Sequence, residues 1–176
     1  RLDMVYAYNQ LKPSMQKQKQ EMLKAMFAEI GEDCYLETPF YSEWAGKFCR
    51  FGKGIYANFN LMLVDDGEIT VGDYTMFGPN VTLCTATHPI SPTWRLRHAQ
   101  YNPAIHIGKN VWIGANTIVL PGVTIGDNTV IGAGSLVTKD MPANVVAYGS
   151  PCKVVRPITE EDETYYRPGH LLNEAL

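Results

Sequence analysis

The sequence predicts an all-β-dominated chain folded as a left-handed parallel β-helix of six-residue repeats, and two observations carry that prediction. From Ala104 the chain divides into AIHIGK, NVWIGA, NTIVLP, GVTIGD, NTVIGA and GSLVTK, which sets Ile107, Ile113, Val119, Ile125, Ile131 and Val137 at an unbroken spacing of six. An earlier block, EITVGD, YTMFGP and NVTLCT from Glu68 to Thr85, puts Val71, Phe77 and Leu83 in the same slot. The second observation is what flanks that slot. The residue two before it is small or β-branched, as at Ile105, Val111, Thr117, Val123, Thr129 and Ser135, and Gly follows it in most repeats. An α-helix needs apolar residues at i, i+3 and i+4, which this spacing does not supply. One aliphatic per six residues fits a triangular solenoid: each unit makes a short strand and a turn, three units make a coil, and Gly eases the corner. Stacked coils then align identical slots into buried columns.

The remaining elements follow as parts of a single domain. A solenoid cannot leave its first coil exposed, and residues 1–33 read as a helical cap. Met15, Met22, Leu23, Met26, Phe27 and Ile30 fall mostly at helical spacing between Ser14 and Ile30, after Pro13 and before a Gly31 placed to close the helix. The β-helix itself is expected over 34–156, with blurred, irregular early coils between Cys34 and Gly67. The stretch 86–103, ATHPISPTWRLRHAQYNP, breaks the period with three prolines and should project as a loop. Loops of this length in compact domains are usually functional or disordered, and its aromatic and charged residues suit closing over something. In the tail, 157–176, a short helix from Thr159 to Tyr166 begins with a threonine N-cap and an acidic first turn.

Composition narrows the function classes. With 176 residues the chain suits one core. A net charge of -3 without a long basic run gives no electrostatic reason to expect nucleic acid or an anionic membrane, and no apolar stretch approaches a bilayer's width. Cys34, Cys49, Cys84 and Cys152 show neither a C-x-x-C pair nor zinc-site spacing, so free thiols in the cytoplasm and no bound metal are expected. The chain opens at Arg1, from which we expect the natural protein to begin further upstream.

His88, in TATHPI where the regular coil gives way to the loop, is the residue best suited to acid–base work, because imidazole accepts a proton near neutral pH. Taken alone, a histidine beside a proline is more often a turn residue. The run from Tyr56 to Arg156, with the words YANFNLMLVDD, FGPNVTLCTATHP and IGKNVWIGANTIVLPGVTIGDNTVIGAGSLVTKDMPANVVAYGSPCKVVR, resembles the galactoside and maltose O-acetyltransferase family of hexapeptide-repeat enzymes. NFN followed by VDD is closer to the galactoside branch. T-x-x-H-P together with G-x-P-x-K/R-V-x-R is specific to these acyltransferases, whereas a bare hexapeptide repeat also occurs in nucleotidyltransferase tails and carbonic anhydrases.

The resemblance implies a homotrimer that uses acetyl-CoA as co-substrate, with active sites between neighbouring prisms and a sugar hydroxyl as acceptor. It implies His88 as general base, and Asn58 and Asp66 as sugar-binding residues. It points to the Ala115 N–H as donor to the thioester oxygen, although the family often has Ser there. It implies coenzyme contacts at Ala133, Thr138, Lys139, Lys153 and Arg156, with Lys153 where a galactoside enzyme carries Arg. Without the resemblance, Asn58 and Asp66 are ordinary turn formers, the basic residues ordinary solvated surface, and Trp112 either a wall of the acetyl pocket or a cover for the prism. The chain also departs from the family pattern: Trp44, in FYSEWAGKF, stands where relatives carry Ser or Asp, and a substrate-binding Asp of their N-terminal segment has no counterpart in the given sequence.

Three competing readings remain. The same enzyme class could act on an antibiotic or a nodulation-type oligosaccharide, which loop 86–103 would decide. A zinc carbonic anhydrase would use His88, His98 and His106, which lack the short two-histidine spacing of that group. A non-catalytic trimeric scaffold would bind no coenzyme A.

Overall fold

The computed structural model describes residues 1–172, and it is a left-handed parallel β-helix of five complete coils and the start of a sixth. Each coil contributes one strand to each of three faces. The first face stacks Glu29–Ile30, Cys49–Phe51, Ile69–Val71, Ile105–Ile107 and Thr124–Ile125. The second stacks Tyr35–Leu36, Tyr56–Ala57, Met76–Phe77, Trp112–Ile113, Val130–Ile131 and Val145–Gly149, and ends on the antiparallel return strand Cys152–Pro157. The third stacks Tyr41–Ser42, Met62–Val64, Thr82–Cys84, Ile118–Val119 and Leu136–Val137.

The expected columns are present in register. Val71, Ile107 and Ile125 align on the first face, Phe77, Ile113 and Ile131 on the second, and Leu83, Val119 and Val137 on the third, all of them buried. The positions two before also point inward. Where they are polar they satisfy the coil: Thr75 Oγ1 donates to the Gly108 carbonyl at 2.9 Å and Thr129 Oγ1 to that of Pro142 at 2.6 Å. Between Cys34 and Gly67 the coils are irregular, as expected: the inward slots are Leu36, Ser42, Phe51, Ala57 and Leu63, and extra residues at the 43–48 and 65–68 corners break the spacing of six while the strands keep their register and inward direction.

The repeat glycines play a different part from the one expected. None of Gly72, Gly78, Gly108, Gly114, Gly126 and Gly132 has a positive φ. A Cβ at Gly78 would lie 2.7 Å from the Ala115 nitrogen, and one at Gly114 would lie 2.5 Å from that of Ala133. These glycines therefore admit the backbone of the next coil. The left-handed corner residue is most often asparagine, at Asn60, Asn80, Asn110, Asn116, Asn128 and Asn144, with φ between 53° and 62°, while Gly54, Tyr74, Gly122 and Gly134 take the same corner in other repeats. Asn tolerates that conformation, and its amide joins a ladder along the edge, as in Asn110 to Asn128 at 3.1 Å and Asn128 to Asn144 at 2.8 Å.

Two helices cap the first coil: α1, Leu2–Asn9, and α2, Gln16–Met26. The second is shorter than the helical spacing suggested. Phe27 turns extended to pack against Phe51, with ring centroids 5.0 Å apart, and Glu29–Ile30 joins the first face instead of continuing the helix. Gly31 accordingly closes no helix; its N–H donates to the Phe51 carbonyl at 3.0 Å. Tyr8 lies buried edge-on to Phe40 and donates to the Leu36 carbonyl at 2.8 Å.

Outward residues divide the prism unevenly. The first face is polar: Arg50 pairs with Glu29 at 3.5 Å and Glu68 at 3.4 Å, and Thr70 Oγ1 meets His106 Nδ1 at 2.7 Å. The second and third faces expose Tyr56, Met76 and Trp112, and Tyr41, Met62 and Ile118. Tyr56, Met76 and Trp112 form a contiguous row, whereas Thr82 separates Met62 from Ile118; exposed apolar patches of this kind mark interaction surfaces. The columns carry the stability. Ile113→Ala should cost about 2–5 kcal/mol, whereas Thr70→Ala on the solvated face should change stability by less than about 1 kcal/mol; urea unfolding followed by circular dichroism measures both.

Candidate active site

The edge between the third and first faces gathers most of the chemistry. In three successive coils it is built from residues 43–46, 65–67 and 85–88, each following a third-face strand. Loop 86–103 leaves from the third of these and projects as expected. Thr87 and Tyr101 close its base with two backbone hydrogen bonds of 2.9 Å, and it carries a single-turn helix, α3, Pro92–Leu96.

His88 stands at the root of that loop, exposed, with Nδ1 2.8 Å from the Ala99 carbonyl oxygen. A carbonyl can only accept, so Nδ1 carries the proton and, in the neutral ring, Nε2 keeps its lone pair. The main chain of the loop thus fixes both orientation and tautomer of the one imidazole facing this edge. His106 lies on the first face, bonded to Thr70, and His98 sits inside the loop with φ 57°. Among the described residues no three His, Cys, Asp or Glu side chains converge to hold a metal ion.

One coil earlier, Asp65 and Asp66 take opposite directions. Asp65 is fully buried; its Oδ1 accepts from Ser42 Oγ at 2.7 Å and Trp44 N at 3.0 Å, and its Oδ2 from Gly46 N at 3.1 Å. Asp66 points outward and accepts from the Trp44 indole N–H at 3.2 Å. Thr85 pins the same corner, taking the Gly67 N–H at 2.8 Å and donating to the Val64 carbonyl at 2.7 Å. Glu43 also faces this edge. Burial chiefly, with the Asp66 and Glu43 carboxylates adding, pushes the neighbouring Cys84 thiol up, against a lowering hydrogen bond to Ala86. Sequence reasoning passed over Asp65 and Glu43. The paired DD after a strand was a signal for Asp65, since alternation must send one of two adjacent carboxylates inward.

The anticipated site residues fall on two edges. Asp66, His88, Thr138 and Lys139 follow third-face strands and share the edge just described. Asn58, Ala115 and Ala133 follow second-face strands and lie on the opposite edge of the third face. There the Asn58 side-chain oxygen accepts from Phe59 N at 2.8 Å, which leaves its NH2 available. The Ala115 carbonyl accepts from Gly134 at 2.7 Å, while the N–H groups of Ala115 and Ala133 meet no acceptor among the described residues. Trp112 projects from the second face and is 52% exposed.

Lys153 and Arg156 lie on the return strand, opposite Tyr148 and Val146. Lys139 and Lys153 form no ion pair among the described residues, but Arg156 is engaged: its two terminal nitrogens each donate to an Asp162 oxygen at 2.7 Å. Asp162 also takes the Thr159 N–H at 2.9 Å, so the expected helix starts where predicted. It runs only as one 3-10 turn, Glu160–Glu163, before the strand Tyr165–Arg167. The end of the tail, 173–176, lies outside the described residues.

The hexapeptide transferase family model, "Bacterial transferase hexapeptide (six repeats)", matches residues 104–139. Two galactoside O-acetyltransferases align over nearly the whole chain: that of Lactococcus lactis at 57% identity, covering 92% of this chain and 78% of its own, and that of Escherichia coli K12 at 47%, covering 93% and 80%. A galactoside acetyltransferase in complex with coenzyme A superposes with a TM-score of 0.94 at 44% identity, covering 97% of this chain and 85% of that one. A maltose O-acetyltransferase from Clostridium difficile 630 superposes at 0.87 with 37% identity, covering 89% and 83%. The chain belongs to the galactoside and maltose O-acetyltransferase family. It is an acyltransferase, and the Trp44 loop, where its sequence leaves the family pattern, abuts the Asp66 carboxylate.

Two measurements probe this framework in the acyltransferase. Asp65→Ala leaves the Ser42 hydroxyl and the Trp44 and Gly46 N–H groups without their shared acceptor, and should cost about 3 kcal/mol, read by urea unfolding. The Arg156 guanidinium, with the Thr159 N–H, holds the Asp162 carboxyl at about 2, below its usual 3.8. A depressed carboxyl stabilises above its ordinary value and loses that contribution as pH falls through the folded one. Tyr165 and Tyr166 resonances should therefore hold down to pH 4 and shift between about 3.8 and 2, and Asp162→Asn should abolish that titration.

Proposed function

We propose that this chain transfers the acetyl group of acetyl-CoA to a hydroxyl of a galactoside- or maltose-type sugar, with His88 as general base. The observation that carries the reading is the Nδ1–H bond to the Ala99 carbonyl, which leaves Nε2 as a proton acceptor at an open edge lined by carboxylates. The acceptor O–H gives its proton to Nε2 as its oxygen attacks the thioester carbon. The carbonyl oxygen becomes negative and takes a hydrogen bond from the Ala115 N–H. Collapse of the tetrahedral intermediate breaks the C–S bond, and the imidazolium returns the proton to the departing sulfur.

His88 and Ala115 occupy opposite edges of one face, so a single chain does not complete the site. A homotrimer, in which the His88 edge of one prism meets the Ala115 edge of the next, does so, and the apolar second and third faces supply surface for it to bury. Asp66 accepts from the sugar, and Asn58 donates through its free NH2. Ala133 offers its N–H to the pantetheine arm from the Ala115 edge, and Thr138 offers its hydroxyl from the His88 edge. Lys139 and Lys153 meet the coenzyme phosphates as unpaired cations, and Arg156, committed to Asp162, adds its charge mainly by bracing the tail. Four free thiols and a coenzyme A thioester as substrate suit a cytoplasmic enzyme.

Removing the base should lower kcat/KM about 10²- to 10⁴-fold, so comparable turnover by wild type and His88→Ala with acetyl-CoA and a galactoside defeats the mechanism. Shared sites have their own signature. Gly78→Ala crowds the Ala115 N–H, and co-refolding it with His88→Ala should restore about one quarter of the sites, because half the subunits bring an intact base and half of their neighbours an intact donor. No recovery from two separately inactive variants would place each site within one chain.

A further inference from the structure

Trp44 is held from two sides by adjacent carboxylates. Buried Asp65 takes its backbone N–H at 3.0 Å and fixes the turn through Ser42 and Gly46, while outward Asp66 takes its indole N–H at 3.2 Å. Phe48 packs against the indole at 6.2 Å between centroids, and Arg1 Nε donates to the Trp44 carbonyl at 2.7 Å. A ring so anchored would be expected to bury itself, yet 43% of the residue stays exposed. Its turn occupies the same edge as Asp66 and the root of His88, in the first of three consecutive coils. Two coil spacings separate it from the His88 root, about 10 Å, which leaves room for one pyranose ring.

We propose that Trp44 determines acceptor specificity. The inference rests on the reading of Asp66 and His88 as the acceptor site. The indole engages one Asp66 oxygen, so an acceptor finds the other oxygen for a hydroxyl and an aromatic surface beside it. A sugar ring that gathers its C–H groups on one side covers such a surface without stranding a hydroxyl on it. A galactoside does this, because its axial 4-hydroxyl leaves the hydrogens of C3, C4 and C5 on a single face; a glucoside alternates them. The site thus favours galactosides through apolar contact with the indole as well as through the carboxylate.

The experiment is steady-state kinetics of wild type, Trp44→Phe, Trp44→Ala and Asp66→Ala with methyl galactoside and methyl glucoside, alongside thermal midpoints and the KM for acetyl-CoA. Trp44→Ala should raise the galactoside KM about three- to tenfold, with a much smaller change for the glucoside and little change in kcat or in the KM for acetyl-CoA. Trp44→Phe, which keeps a ring and releases the Asp66 oxygen, should shift the galactoside-to-glucoside ratio at least about twofold; it carries the test if the alanine variant fails to fold. An unchanged ratio in the folded Trp44 variants, with acceptor affinity lost in Asp66→Ala, overturns the role of Trp44 and leaves the acceptor site standing. Unchanged acceptor KM in Asp66→Ala as well removes the site on which the proposal rests.

Discussion

Stacking of one inward aliphatic on the next, coil above coil, is the contact on which everything else in this molecule depends. Loop 86–103 apart, it forces the chain to return to the same three directions every eighteen to twenty-one residues through the complete coils, from Val119 to Val137 in the later ones and from Leu36 to Ala57 in the first, and thereby converts sequence spacing into position on an edge. Residues far apart in the chain become neighbours along the axis: Trp44, Asp66 and the root of His88 stand in consecutive coils only because Ser42, Leu63 and Leu83 occupy consecutive inward slots. A chemistry that needs an imidazole, a carboxylate and an aromatic ring in a row is then supplied by three short turns, none of which has to be stable alone. The rigidity of the columns is what allows those turns to be irregular, and loop 86–103 can leave the prism because the Thr87–Tyr101 bridge restores the path before the next strand.

Much of the architecture was legible because its signal is a period. Ile107, Ile113, Val119, Ile125, Ile131 and Val137 announce their own directions, and the loss of that rhythm after Cys84 announces the loop. Other features were not legible. Between Cys34 and Gly67 extra residues at the corners after Ser42 and Leu63 break the spacing of six, and a polar Ser42 in an inward slot hides the pattern further, although the strands stay in register. The repeat glycines looked like corner residues, yet the corner conformation belongs mostly to the asparagines beyond them. A residue needed for its missing Cβ and one needed for its left-handed φ cannot be told apart until the next coil is in place. Helical spacing ran through Ile30, but Phe27 gains more from the space above Phe51 than a further helical turn offers, so α2 ends early.

For the site, the motif singled out His88, Asp66 and the two alanine N–H groups, while spacing alone singled out none of the carboxylates or amides. The division into two edges was hidden, because it depends on which face precedes each turn. That division has a physical advantage for an acyltransferase. On the proposed reading, two convex prisms meeting edge to edge make a concave site that neither has alone. The exposed apolar residues Met62, Met76 and Trp112 of the second and third faces, an aggregation hazard on an isolated chain, would be covered by such an association, whereas the first face is polar, with Arg50 between Glu29 and Glu68.

The two consecutive aspartates show how closely folding and chemistry are joined here. Strand alternation sends Asp65 inward, where a carboxylate would be costly without donors, and the 43–46 turn supplies three of them. Those donors are available only if the turn folds around the carboxylate, which presents Trp44 to the outward-facing Asp66. A buried charge that must be satisfied thus sets the position of an exposed ring, and the ring sets which oxygen of the neighbouring carboxylate stays open. Any sugar that bound beside Asp66 would meet a surface whose shape was settled by the interior of the prism, which gives the buried Asp65 a part in setting that surface without facing it.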